Sequence, residues 1–282
     1  MMSDRNQPYR LTIWRLITTP SAHGAWNMAV DEAILEHTCS EVVPPTLRLY
    51  AWDPACLSLG YAQTFEDADM PALKARGWDL VRRPTGGRAI LHTDELTYAV
   101  IGPNSEPRLS GGVLESYQRL SWALLEALHR LEIPAKAQAN PGSPANSRPQ
   151  GPVCFEIPSH YEITVAGRKL IGSAQSRKMG GVLQHGSLPL YGDITRITQA
   201  LKFENDDLRR EAARRLADRA ATVETVLGSR LSWEMVAESF QQSFSQTLNL
   251  DLRPSELSPS ERSRTEELVR EKYANPEWTR RK

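Results

Sequence analysis

The chain has 282 residues, 40% of them hydrophobic and 24% charged, which is enough for one substantial core and speaks against overall disorder. Lys plus Arg equals Asp plus Glu at 34 each, so no global field argues for a nucleic-acid partner. MMSDRNQPYRLTIWRL lacks the apolar run of a signal peptide and no stretch of about eighteen apolar residues occurs anywhere, so neither secretion nor membrane spanning is expected.

In chain order, Trp26, Ala29, Val30, Ala33 and Ile34 recur at helical spacing between Gly24 and His37, with Asp31, Glu32 and Glu36 expected to turn away from that apolar set. Short β-like runs follow: TLRLY (46–50), CLSLGY (56–61), DLVRR (79–83), RAIL (88–91) and ELTYAVI (95–101), separated by Pro, Gly and Asp. Between Gly112 and Leu131 the apolar residues Val113, Leu114, Tyr117, Leu120, Leu124, Leu125, Leu128 and Leu131 keep a period near 3.6, and Pro134 ends the pattern. The segment NPGSPANSRPQGP (140–152) has no regular pattern. HYEITV (160–165), AGRKLI (166–171) and GGVLQHG (180–186) then read as strands, with Gly167 at a hairpin turn. Helical patterns occupy 193–201, 206–221 and 232–248, the last with Trp233, Val236, Phe240 and Phe244 on one side. LRREAARRLADR (208–219) balances its arginines with acids and reads as a solvated helix face. The charged segment from Pro254 onward is expected to dock as a short helix through Tyr273 and Trp278. The predicted fold class is α+β, a mixed or antiparallel β-sheet core with flanking helices.

Cysteine chemistry narrows the function. Cys39, Cys56 and Cys154 are widely spaced with no CxxC, an arrangement suited to a reducing cytoplasm. Cys39 ends a helical stretch and Cys56 sits in an apolar strand, so both read as structural. Cys154 differs: it follows the irregular segment and precedes Arg168, Lys169, Arg177, Lys178 and His185, cations that lower a thiol pKa and favour covalent acyl chemistry. In RRPTGGRAILH (82–92), Gly86 and Gly87 permit close ligand approach between bracketing arginines, yet neither GK[ST] nor GxGxxG is present. His92 and His185 can orient polar groups or exchange protons; their spacing with Cys154 fits no recognised zinc motif.

RRPTGGRAILH followed by DELTYAV, and then CFEIPSHYEITVAGRKLIGSAQSRKMGGVLQHGSLPL, together resemble the lipoate-protein ligase A and octanoyltransferase superfamily, whose members share a fold with biotin protein ligase. The similarity runs from about Leu11 to about Leu250, with YANPEWT (273–279) resembling the family's end. The resemblance implies an N-terminal tail (1–10), a catalytic domain (11–250) and a C-terminal helical extension (251–282). ATP-dependent ligases of this superfamily carry a third glycine where Arg88 stands and generally lack a cysteine at Cys154. The GGRAxLH and ESYQRLS segments, with a cysteine followed by Phe and then Pro-Ser, are instead similar to the LipM-type octanoyltransferase branch.

That branch implies transfer of octanoyl from octanoyl-acyl carrier protein, through a Cys154 thioester, to a lysine of a lipoyl-carrier domain such as the glycine-cleavage H protein. It implies no cofactor, ATP or metal; balanced charge, the lack of long apolar runs and the cysteine pattern lead to the expectation of no nucleic acid, no membrane and a cytoplasmic location, with a monomer as the default. Lys169 matches the family's active-site lysine, with roles in favouring the thiolate and stabilising the oxyanion; outside the family it would read as an exposed hairpin lysine. Gly86, Gly87 and Arg88 are expected at the mouth of an acyl tunnel with Arg83 close by. Gly172, Ser173 and Ala174 would supply small walls, and His92, His185 and Gly186 complete the expected substrate contacts. Competing expectations are an ATP-dependent lipoate or octanoate ligase, an amidotransferase acting between carrier proteins, and a noncatalytic acyl- or carrier-binding protein.

Overall fold

A computed structural model describes residues 9–40, 42–139 and 161–281. Among them, eleven strands form two sheets. The large sheet contains β1 (Thr12–Thr18), β2 (Thr46–Tyr50), β6 (Glu95–Pro103), β7 (Lys136–Ala139), β8 (Tyr161–Val165), β9 (Arg168–Lys178), β10 (Gly181–Pro189) and β11 (Leu250–Pro254). Their order is β11-β1-β2-β6-β10-β9-β8-β7. The β11–β1–β2 pairings are parallel and the remainder antiparallel, so the mixed α+β class expected from the sequence is what the chain adopts. A small sheet, β4-β3-β5, joins β3 (Cys56–Leu59), β4 (Asp79–Arg82) and β5 (Ile90–His92).

Strand β6 shows why the large sheet is covered on both faces. Successive side chains of a strand point to opposite sides, and here both sides are apolar. Leu96, Tyr98 and Val100 join a core beneath α3 (Val113–Arg130) and α6 (Trp233–Leu248), whereas Ala99 and Ile101 join a core beneath α1 (Gly24–Cys39). Within α3, Leu120, Leu124 and Leu128 are buried as their spacing predicts, but Val113 and Leu114 in the first turn stay about half exposed. A third core packs the small sheet against a 3-10 turn (Ile194–Gln199) and α4 (Asp206–Arg219), with Leu57, Leu59, Ile197, Leu201 and Leu216 at its centre. Only Ala212 and Leu216 of α4 are buried, so its arginines face outward as read. Among the described residues the remaining α-helices are α2 (Met70–Arg76), α5 (Val223–Leu227), α7 (Pro259–Leu268) and α8 (Pro276–Arg280), with a 3-10 turn at Phe65–Asp67 and a π-helical turn at Val269–Tyr273. The β8–β9 hairpin turns at Ala166 and Gly167, whose φ angles are 49° and 77°.

The polar side of α1 departs from expectation. Asp31 is fully buried and pairs with Arg48 at 2.7 Å; Glu32 and Glu36 are covered by the chain after residue 250. Arg264 of α7 binds Glu36, while Lys272 and Tyr273 bind Glu32. The periodicity of α1 describes one apolar stripe, but the helix is covered from other sides by groups able to satisfy its acids. The same segment clasps the small sheet: Arg82 donates to the Thr279 carbonyl at 2.8 and 3.0 Å, and the Trp278 indole donates to the Arg82 carbonyl at 2.9 Å. Tyr273 and Trp278 thus both anchor this segment.

Candidate active site

The large sheet, α1 and the small sheet meet around a cavity whose void, with its solvent-open mouth included, is about 430 Å³. Arg83, Gly87, His92, Gly172, Ser173, Ala174, His185 and Gly186, singled out in sequence, all line it. They converge because β5 and the loop before it cross the face of β9 and β10, whose register sets Gly186 opposite Ser173 and His185 opposite Ala174. A Cβ on Gly186 would lie 2.5 Å from both Ser173 Oγ and Tyr98 Cε1, so the residue is held to glycine by its neighbours. Met28, Tyr50, Trp52 and Ile90 contribute much of the apolar wall; the first three carried no motif in the sequence, and Ile90 lies within RRPTGGRAILH without having been named for the site.

The glycine loop is braced from within. Arg83, only 3% exposed, donates to the carbonyls of Ser58 (3.0 Å), Gly86 (2.8 Å) and Arg88 (2.7 Å). Gly86 and Arg88 therefore take part through their backbones, and Gly87, between them, reaches the cavity wall. Directly opposite, Gly60 packs so tightly that a Cβ there would stand 1.9 Å from the Gly87 carbonyl oxygen.

Each histidine of the wall joins a buried carboxylate to a hydroxyl. His185 Nδ1 lies 3.4 Å from Asp31 Oδ2 and its Nε2 lies 2.7 Å from Thr85 Oγ1. Burial pulls the His185 pKa down, more than the Asp31 hydrogen bond and charge raise it. Burial alone would raise Asp31, but Arg48 and His185 outweigh it and hold this carboxyl below the usual range. A neutral imidazole beside an ionised carboxylate donates from Nδ1, so Nε2 accepts the Thr85 hydroxyl. His92 is placed similarly, with Nδ1 2.7 Å from Glu95 Oε1 and Nε2 2.8 Å from Ser58 Oγ, and its ring stacks on Trp52 with centroids 4.0 Å apart. Glu95 also accepts from Thr97 and Ser187, each at 2.5 Å, and these partners with His92 lower its pKa despite burial. These polar groups pin the wall and leave an apolar interior between them.

Lys169 lies outside this lining, at the β8–β9 end of the same strand as Gly172. It is 6% exposed and its Nζ is 3.0 Å from Glu162 Oε1, a buried pair in place of an exposed hairpin lysine. Cys154 falls outside the described residues. Cys56 is buried, which pushes its thiol pKa well up, and Cys39 ends α1. Among the described residues no His, Cys, Asp and Glu cluster is arranged to hold a metal, and no helix is long and apolar enough to cross a membrane.

Asp31, Arg48, Tyr50, Ser58, Thr85, Glu95 and Thr97 were not foreseen as site residues. Their signal is indirect: charged or hydroxyl side chains inside otherwise apolar strands and helices imply buried partners, without saying which.

The profile of the family described as the lipoyl protein ligase A/B catalytic domain matches residues 23–245. The chain is 42% identical over 273 residues to the octanoyltransferase LipM of Kyrpidia tusciae, covering 95% of this chain and 99% of that one. It is 37% identical over 274 residues to the octanoyltransferase LipM of Staphylococcus aureus, again with 95% and 99% covered. In fold, it is similar to a bipartite lipoate protein ligase of Thermoplasma acidophilum, with a TM-score of 0.79 at 23% identity over 95% of this chain and 96% of that one. A lipoate-protein ligase A bound with ATP gives a TM-score of 0.74 at 24% identity, over 96% and 99%. With a profile match across most of its length and full-length relatives well above 30% identity, the chain belongs to the lipoyl protein ligase A/B catalytic domain family.

Proposed function

We propose that the protein is an octanoyltransferase of protein lipoylation, taking octanoyl from octanoyl-acyl carrier protein and delivering it to a lysine of a lipoyl-carrier domain, the glycine-cleavage H protein in the first instance. The observation that carries this reading is the apolar cavity braced by buried polar groups, in a chain whose full-length relatives are named octanoyltransferases. An acyl chain suits such a cavity, since its walls are aromatic and aliphatic and their polar atoms are already satisfied.

In the first step the Cys154 thiolate attacks the thioester carbonyl. The bond to the carrier sulfur breaks, and the carrier leaves as a thiol on taking up a proton. In the second, the acceptor amine attacks the octanoyl-Cys154 thioester, the C–N bond forms, and the amine's proton passes to the departing cysteine sulfur. Exchange between two thioesters is nearly even in energy, and amide formation draws the sequence forward. Lys169, buried beside Glu162, supplies the positive charge for the thiolate and the developing oxyanion. Residues 11–250 act as the catalytic unit and 251–282 as its extension, in a cytoplasmic monomer that needs no ATP and no metal.

Incubation with octanoyl-acyl carrier protein in the absence of ATP should produce an octanoyl adduct, seen by intact mass and located at Cys154, which a lipoyl-carrier domain then discharges. A strict need for ATP with free octanoate would make the protein a ligase. Reversible binding without an adduct would make it a binding protein.

A further inference from the structure

A second cavity, whose void with its solvent-open mouth included is about 480 Å³, continues from the first along the same face of the large sheet. Alternate residues of a strand share a face, and on β10 they run His185, Ser187, Pro189. His185 lines the first cavity, Pro189 the second, and Ser187 both. On β6 the same passage is made from Thr97 to Glu95. Ile90 of β5 stands over this seam as the other residue common to both linings.

Lys169 lines neither cavity, and its ammonium is on Glu162. Its strand reaches the first cavity at Gly172, and its carbonyl accepts from the Ala221 amide at 3.0 Å, one residue before Thr222 of the second cavity. A thioester held at the seam of Ser187 and Ile90 has one cavity on each side of it, and a thioester has two arms to place.

We propose that the second cavity receives the thiol-bearing arm of the donor, a linear amide chain of the pantetheine class, while the first holds the octanoyl chain. The assignment rests on the octanoyltransferase reading above and deepens it. Two features match this occupant. Leu91, Ile194 and Ile197 provide an apolar trough for a chain of methylenes. Strand β5 forms one wall and is the edge of the small sheet: β3 pairs with it on one side, and among the described residues no strand flanks the other. An edge strand presents alternate backbone N–H and C=O groups outward, the complement of an extended chain carrying secondary amides.

The test compares two donors, octanoyl-pantetheine and the octanoyl thioester of 2-mercaptoethanol, which has no amide arm. Wild-type protein should favour the former in kcat/KM. Ile194→Trp, which fills only the second cavity, should raise KM for octanoyl-pantetheine at least about tenfold and leave kcat/KM for the mercaptoethanol thioester within about twofold. Ile194→Phe intrudes less and should shift the same parameter in the same direction, which guards against a tryptophan variant that does not fold. Equal losses with both donors, or no loss with either, would overturn the assignment. If wild-type protein forms no octanoyl adduct from octanoyl-acyl carrier protein either, the octanoyltransferase reading falls and this inference with it, whereas an adduct from the carrier protein together with adducts from both small donors without discrimination between the arms sinks the inference alone.

Discussion

Gly60→Ala isolates the contribution of the glycine loop. The added methyl would sit 1.9 Å from the Gly87 carbonyl oxygen and 2.8 Å from its carbon. Ordinary contact begins near 3.4 Å, so either the loop or the Gly60 backbone must retreat by about 1.5 Å. Both are tethered. The Gly60 carbonyl accepts from Arg82 at 2.8 Å, and the loop is held by Arg83 on Gly86 and Arg88 and by Thr85 on His185. Overpacking of this kind costs roughly 1–3 kcal/mol, which for a chain of this size lowers the melting temperature by several degrees. Because Gly87 lines the cavity, a shift of order 1 Å in the wall should cost about 100-fold in acyl transfer, more than the stability loss explains. Thermal unfolding and single-turnover acylation of the same preparation measure the two effects separately. A variant that melts low yet acylates within twofold of wild type would refute the claim that this contact fixes the reacting geometry.

Cys154→Ala should abolish both the octanoyl adduct and transfer with the fold retained, and an adduct of normal yield on this variant, read by intact mass, would eliminate the thioester mechanism. Lys169→Ala should slow acylation by about 10²- to 10³-fold in single-turnover measurements while acceptor affinity is kept, and Lys169→Arg should rescue poorly because a planar guanidinium does not replace a compact ammonium; wild-type acylation with weakened acceptor binding would make Lys169 a docking residue. Asp31→Ala leaves the buried Arg48 guanidinium without its carboxylate and should cost roughly 3–5 kcal/mol in denaturant unfolding; a loss below about 1 kcal/mol would show that the pair is dispensable. Stability should fall on acidification in two limbs. His185 has a lowered pKa in the folded state, so below the ordinary histidine value of about 6.5 the unfolded chain binds a proton that the folded chain resists, and stability is lost from there down to the lowered value. Asp31 and Glu95, also lowered, contribute fully above the ordinary carboxylate range and lose that contribution only as the pH falls through their folded values. His185→Gln should remove the upper limb from a melting-temperature profile, and an unchanged profile would contradict this origin.

The strands around the site were readable because their chemistry is local. TLRLY, ELTYAVI and GGVLQHG are short β-rich runs bounded by turn residues, and each becomes a strand of the large sheet. The motif residues 83–92, 172–174 and 185–186 could be named in advance, although nothing in their spacing shows that β5 lies across β10. Strands β1 and β11 were missed for a related reason: they pair in parallel across almost the whole chain, Thr12 with Leu250, so no turn lies between them to announce the pairing. Asp31 and Arg48 show the limit of periodicity. In TLRLY the alternation sets Thr46, Arg48 and Tyr50 on one face, which reads as the wetter side of a strand, yet all five residues are buried. Only the meeting of that face with the acid of α1 gives Arg48 a partner, and a helical or strand pattern contains no information about the partner's position.

The clasp between Arg82 and Thr279 joins residues 197 positions apart. Contacts of such span demand that a long loop be closed before they return any stabilisation, so they form late in folding. Helices α3 and α6 and the β8–β9–β10 meander can assemble from nearer neighbours, whereas the backbone under the glycine loop gains its last tethers when residues 278 and 279 arrive. Order of maturation follows from this. The scaffold is expected to be native-like before the acyl cavity is, and a refolding protein should recover its helical signal ahead of its ability to transfer an acyl group.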